Sequence, residues 1–296
     1  MSKTVMTDSA HVLLDRLNLE TLDRDLFRGF SPEDGRARVF GGQVAAQALI
    51  AACRTVEGRI AHSLHAYFLR PGDPSIPIIY EVDRIRDGKS FTTRRVVAIQ
   101  RGEAIFNMSA SYHVDEPGPS HQIPMPEVPR PESLPSNEER LRASYEKTGS
   151  QVFEMLQHLE RPVDVRDSDP YDFLDPKPRS GPHMAWFKTR ERLPDDPLLH
   201  QCALAYASDL SLLDTSLFQH GLSYFKPNLF AASLDHTMWF HRPFRADEWL
   251  LYVTQSPTTG GSRGFNQGSI FTLDGTLVAS AAQECLMRVV SDRSGR

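Results

Sequence analysis

The chain contains a version of itself. At a constant offset of 172, Phe68 falls on Phe240, Arg70 on Arg242, Pro71 on Pro243, Tyr80 on Tyr252, Gly88 on Gly260 and Ser90 on Ser262. Average residue usage gives roughly one or two such identities over this span. Apolar character also corresponds, with Tyr67 on Trp239, Ile79 on Leu251, Ile105 on Leu277 and Phe106 on Val278. The fold must therefore hold two similar units in series.

Between the copies, fourteen of the 21 prolines lie from Pro117 to Pro197, beginning with seven between Pro117 and Pro135 where neither helix nor central strand persists. The division is an N-terminal repeat at 1–115, a connector at 116–180 and a C-terminal repeat at 181–296. Glu138 to Leu159 keeps helical spacing (Leu141, Tyr145, Phe153, Leu156, Leu159), which predicts one helix inside the connector. In each repeat a helix precedes strands. Apolar residues recur at helical spacing from Gly42 to Ala52 and from Leu198 to Leu213. Ala104 to Val114 alternates, with Phe106, Met108, Ala110 and Tyr112 on one face, as a half-buried antiparallel strand does. Asp87-Gly88 and Gly260-Gly261 supply hairpin turns. The class is α+β.

Several classes of partner are excluded. The net charge of −5 is not clustered, which argues against nucleic acid, and a mean hydropathy of −0.39 without a run of about 18 apolar residues argues against a membrane span. Cys53, Cys202 and Cys285 are too few for a disulfide framework, so a reducing, cytoplasmic location is expected; the N-terminus has no secretory pattern and Ser294-Gly295-Arg296 is not a peroxisomal address.

Phe40-Gly41-Gly42-Gln43, the run from His62 to Gly72, Asp235-His236-Thr237-Met238-Trp239-Phe240-His241-Arg242-Pro243 and Ala282-Gln283-Glu284 resemble the type II acyl-CoA thioesterases, the TesB-like family, over almost the whole chain. The resemblance implies a double hotdog, two sheets each wrapped around a long helix. It also implies hydrolysis of fatty acyl-CoA without a metal or other cofactor, and a catalytic set of Asp209, Ser233 and Gln283.

Each residue also has a structural explanation. Asp209 has Ala205, Tyr206, Leu212 and Leu213 at i±3 and i±4, so it sits on an apolar helical stripe; it is a buried cap, an ion-pair member or a base. Matching the two helices puts Ile50 opposite it. Gln283 shares a strand face with Leu277, Ala279 and Ala281, and the offset gives Ser111 as its counterpart. Ser233 stands at the start of a strand, where the family commonly has threonine. The mechanism expected from the resemblance is attack of water on the thioester carbon, with Asp209 taking a proton and Ser233 and Gln283 orienting the water. Backbone N–H groups at a helix start would stabilise the oxyanion, with Gly41 and Gly42 allowing close approach. Only one repeat carries the acid and the amide, so one site per chain is expected.

Competing readings come from other motifs. Gly260-Gly261-Ser262-Arg263-Gly264 matches the G-x-S-x-G elbow, but a strand follows the serine and no histidine lies after His241. His62 with His65, and His236 with His241, are odd-spaced on strands and point to opposite faces, against a metal site. Cys202 reads as core, not nucleophile. Asp195 and His200 have the D-x4-H spacing of hotdog enoyl-CoA hydratases, though Pro197 interrupts it. A non-catalytic acyl-CoA sensor is a third possibility, opposed by the presence of Asp209 and Gln283. For the phosphates of coenzyme A the candidates are Arg94, Arg95, Arg242 and Arg263. A homodimer or homotetramer is expected from the resemblance.

Overall fold

The computed structural model describes residues 12–32, 34–148, 161–226 and 228–290. The elements are α1 (Val12–Leu17), β1 (Glu20–Asp23), β2 (Leu26–Gly29), α2 (Gly41–Cys53), β3 (Ile60–Phe68), β4 (Ile78–Asp87), β5 (Phe91–Gln100) and β6 (Glu103–His113). The connector contributes α3 (Asn137–Thr148) and β7 (Val163–Asp167). Then follow β8 (His183–Thr189), α4 (Pro197–Ser208), α5 (Asp214–Phe218), β9 (Leu229–Ser233), β10 (Asp235–Phe240), β11 (Leu250–Gly260), β12 (Arg263–Thr272) and β13 (Leu277–Val289).

All described strands join one sheet in the order β1-β2-β4-β5-β6-β3-β10-β13-β12-β11-β8-β7, with β9 also on β13. The order is symmetric about the β3–β10 seam, where Leu64 pairs with Met238 and Ala66 with His236, positions that exchange under the 172-residue offset. Each half of the sheet covers one helix, and α2 and α4 pack together in a core to which both repeats contribute. Gly41–Cys53 carries no charged residue and eleven of its residues are buried, as a helix enclosed on all sides requires. In α4, Asp196 caps the start by accepting from Leu198 N–H at 3.0 Å, and Pro197 follows where an N–H is not needed.

Four expectations change. The second helix does not run to Leu213: it stops at Ser208, whose hydroxyl bonds back to Ala205 O, and Asp209 becomes its C-cap. Ser233 ends β9 instead of opening a strand, because a break at Leu234 separates β9 from β10. The helix inside the connector covers Asn137–Thr148, and the rest of the expected stretch to Leu159 lies outside the described residues. The connector also supplies β7, an edge strand paired with β8.

The fourth change concerns register. Phe68 pairs with Phe106 in the first repeat, whereas Phe240 pairs with Ala279 in the second, so β13 follows β6 at an offset of 173. The extra residue is taken up before β13. A two-residue turn at Arg101 and Gly102, both at positive φ, joins β5 to β6, and the longer loop closed by Thr272 N–H to Thr276 O joins β12 to β13. The counterpart of Gln283 is therefore Ala110, not Ser111. The G-x-S-x-G segment is the β11–β12 hairpin, with Gly261 and Ser262 at φ of 56° and 60° as the turn.

Candidate active site

Asp209 lies where the end of α4 meets the start of α2. Its side chain is only 4% exposed. Gln283 Nε2, on β13, donates to Asp209 Oδ1 at 2.6 Å, and Ser233 Oγ, at the end of β9, donates to the same oxygen at 3.4 Å. The backbone N–H of Gly42 also favours the ionised carboxylate. The three residues named from sequence therefore converge, and the first repeat supplies a fourth contact. Glycine is needed at both positions. A Cβ on Gly41 would come within 2.8 Å of Asp209 Oδ2, and one on Gly42 within 2.6 Å of Tyr206 O.

Burial pushes the Asp209 carboxyl up to about 6, and the bonds from Gln283, Ser233 and Gly42 pull in the opposite direction. The group is largely ionised at neutral pH yet basic enough to accept a proton. Gln283 is itself held. Its Nε2 also reaches His236 Nδ1 at 3.2 Å, and His236 Nε2 bonds Ser208 Oγ at 2.8 Å. His236 is fully buried, and desolvation pushes its pKa down to about 4, so it is neutral. In that tautomer Nε2–H donates to Ser208, whose hydrogen goes to Ala205 O, and Nδ1 accepts from the glutamine. Sequence reading tested His236 only as a metal ligand. Its available signal was its place inside Asp235-His236-Thr237, two residues from Met238 on the core-facing side of the strand.

A cavity of about 390 Å³ opens on this corner, with Gly41, Asp209 and Ser233 in its wall. Phe173 from the connector and Tyr224 with Phe225 from the segment before β9 complete it. Sequence reading missed all three aromatics. Tyr224 OH donates to Asp214 Oδ1 at 2.6 Å; desolvation pushes Asp214 up to about 7 although this bond opposes it. A second cavity of about 240 Å³ shares Phe173, Leu210 and Asp214 with the first and is lined further by Tyr171, Phe187 and Tyr252.

The arginines nominated from sequence stand elsewhere, none of them in the walls of these two cavities. Arg94 is a correction. It is 2% exposed, donating to Thr55 Oγ1 at 2.8 Å and to Asp87 Oδ1 at 2.6 Å, so it ties α2's end to the sheet and is closed to phosphate. Arg95 pairs with Asp83, Arg263 with Glu284, and Arg242 donates to Leu277 O and Ser120 Oγ. The arginines in the wall of the second cavity are Arg36, Arg161 and Arg190. The hydratase pair does not form. Asp195 is directed outward and bonds Arg245, while His200 Nδ1 accepts the N–H of Ala246. Cys202 is fully buried.

Residues 31–113 match the model of the acyl-CoA thioesterase N-terminal domain and residues 155–286 match that of acyl-CoA thioesterase. Acyl-CoA thioesterase 2 of Haemophilus influenzae is 39% identical over 284 residues, covering 96% of this chain and 99% of that protein. The chain belongs to the type II acyl-CoA thioesterases. Among solved structures, acyl-CoA thioesterase II TesB2 from Mycobacterium marinum superposes with a TM-score of 0.76 at 45% identity, over 94% of this chain and 98% of that one. A hot dog fold protein from Alicyclobacillus acidocaldarius, 19% identical, superposes with a TM-score of 0.75 over 95% and 99% of the two chains. The architecture is the double hotdog.

Proposed function

We propose that the corner around Asp209 hydrolyses fatty acyl-CoA by direct attack of water, the thioester hydrolase activity of the family being shared by this chain. One observation carries the reading: a carboxylate sealed from solvent, yet kept ionisable by Gln283, Ser233 and an amide of the opposing helix. Asp209 accepts a proton from water as the water oxygen bonds the thioester carbon. The Gln283 Nε2 hydrogens are committed to Asp209 and His236, and its Oε1, which has no partner among the described residues, accepts the second hydrogen of the water. Ser233 donates to the same carboxylate oxygen as Gln283, which leaves the other oxygen to take the proton. The Gly41 N–H at the opening of α2 faces the developing oxyanion with the dipole in its favour, the next two amides being directed to Asp209 and to Phe40 O. Collapse of the tetrahedral adduct breaks the carbon–sulfur bond, and the proton held by Asp209 passes to the departing thiolate.

The acyl chain runs into the aromatic cavity beside the corner. Buried, free Cys53, Cys202 and Cys285 support a reducing, cytoplasmic setting. Among the described residues no helix is long and apolar enough to cross a membrane. Tyr67 and Trp239, 59% and 38% exposed beside the β3–β10 seam, support assembly as a homodimer or homotetramer through the outer face of the sheet. The test is thiol release from acyl-CoA as a function of pH. Activity should rise with an apparent pKa of about 6 to 7, as Asp209 and the neighbouring Asp214 lose their protons. A flat profile between about pH 5 and 8 would remove Asp209 as the base.

A further inference from the structure

The rotation that exchanges the two repeats gives the catalytic corner a counterpart at the other end of the helix pair, where α4 begins. Ile50, Ala61 and Ala110 stand there in place of Asp209, Ser233 and Gln283, so the chemistry is lost. The space is not. A cavity of about 880 Å³ opens at this end, larger than either cavity at the catalytic corner, with His62, His113, His200, Gln201 and His241 in its wall.

Two of these side chains are buried and incompletely bonded. His200 is 3% exposed and Gln201 6% exposed, in the first turns of a twelve-residue helix. His200 Nδ1 accepts the Ala246 N–H at 3.0 Å, which leaves the ring proton on Nε2. Gln201 Nε2 donates to Ala61 O at 2.7 Å, which leaves Oε1 as an acceptor. Neither His200 Nε2 nor Gln201 Oε1 has a hydrogen-bond partner among the described residues. Burial lowers the pKa of His200, which keeps the ring a neutral donor. One donor and one acceptor, enclosed beside an opening of ligand size, suit a molecule that offers a carbonyl and an N–H. A secondary amide does, and acyl-CoA carries two of them in its pantetheine arm.

We propose that the cavity at the start of α4 is a second acyl-CoA site, which binds the acyl-pantetheine arm through His200 Nε2–H and Gln201 Oε1 and does not hydrolyse it. The proposal rests on acyl-CoA being the ligand of the catalytic corner. The rim carries Asp115, Glu116, Asp195 and Asp196 beside Arg59, Arg242 and Arg245, and Arg59 is already bonded to Thr92, Gly88 O and Lys89 O, a mixture that does not select phosphates, so recognition belongs to the arm and not to the nucleotide.

Titration calorimetry with the non-hydrolysable thioether S-octyl-CoA tests this. Two equivalents per chain are expected, and Gln201→Leu or His200→Phe should weaken one of them by at least about tenfold while leaving the other. S-octyl-pantetheine should keep the second equivalent; failure to do so would overturn the amide assignment. Because either substitution could disturb α4, wild-type protein is also photolabelled with an S-alkyl-CoA bearing a terminal diazirine. Labels in 113–116 or 240–245, in addition to 161–190 or 206–218, support a second site. One equivalent with labels confined to 161–190 or 206–218 overturns the proposal and leaves the catalytic corner intact. No binding at either place would overturn both.

Discussion

At the two ends of the α2–α4 pair the same backbone arrangement is used differently. Helix α4 stops at Ser208, so Asp209 projects from a helix end against the opening amides of α2. Helix α2 continues three residues past Ile50, which stays within the helix and shares a pocket wall with Leu198 and Leu199. An acid at a sealed position raises the free energy of the folded state unless donors meet it. At the second-repeat end those donors exist because glutamine occupies the position held by alanine in the first, and because a fully buried neutral histidine orients that glutamine. Reactivity in one corner thus depends on a few side chains placed on a frame that both corners have.

Removing the acid gives the largest expected loss. Asp209→Asn should lower kcat for thiol release by about 10²- to 10⁴-fold, with circular dichroism unchanged, the range for loss of a general base. Near-normal turnover would erase the distinction between the corners. The same variant has a stability signature. The folded carboxyl titrates near 6, above its ordinary 3.8, so the contribution of Asp209 to stability is fully present below about pH 4 and is lost as pH rises through 6. The stability difference between Asp209→Asn and wild type should therefore shift in favour of the variant by about 3 kcal/mol between pH 4 and 8, read by denaturant titration.

Gln283→Leu deletes the strongest donor to Asp209. It should reduce kcat by about 10- to 100-fold and move the pH profile upward, because less opposes desolvation. Ile50→Asp puts an acid into the first-repeat corner, where Ala110 has no amide. We expect a loss of about 1–3 kcal/mol in stability and no recovery of hydrolysis in the Asp209→Asn background. Recovery would mean that the frame alone suffices. Ser233→Ala should have the smallest effect, a few-fold in kcat at most, since the hydroxyl lies 3.4 Å from the carboxylate.

The repeat and its helix-then-strands order were legible because both survive as periodicity in the residues. Asp209 could be picked out from its apolar neighbours, although Leu212 and Leu213 lie beyond the helix end and pack by way of a turn. What failed were features that a residue string does not carry. One added loop residue before β13 shifted the counterpart of Gln283 from Ser111 to Ala110. The break at Leu234 reversed which end of a strand Ser233 occupies. Arg94 was avoidable: Thr92, Arg94, Val96 and Ala98 share the buried face of β5, so alternation already placed the guanidinium inside. The aromatics closing the cavity come from irregular segments, where no period marks them.

The contact from Gly42 to Asp209 means that neither copy owns the reaction. One half provides the acid and the other the amide that touches it, so severing the chain within the proline-rich stretch yields two pieces that are each inert. Activity would return only on mixing, with a second-order dependence on concentration. Reconstitution kinetics would then time the meeting of the halves directly.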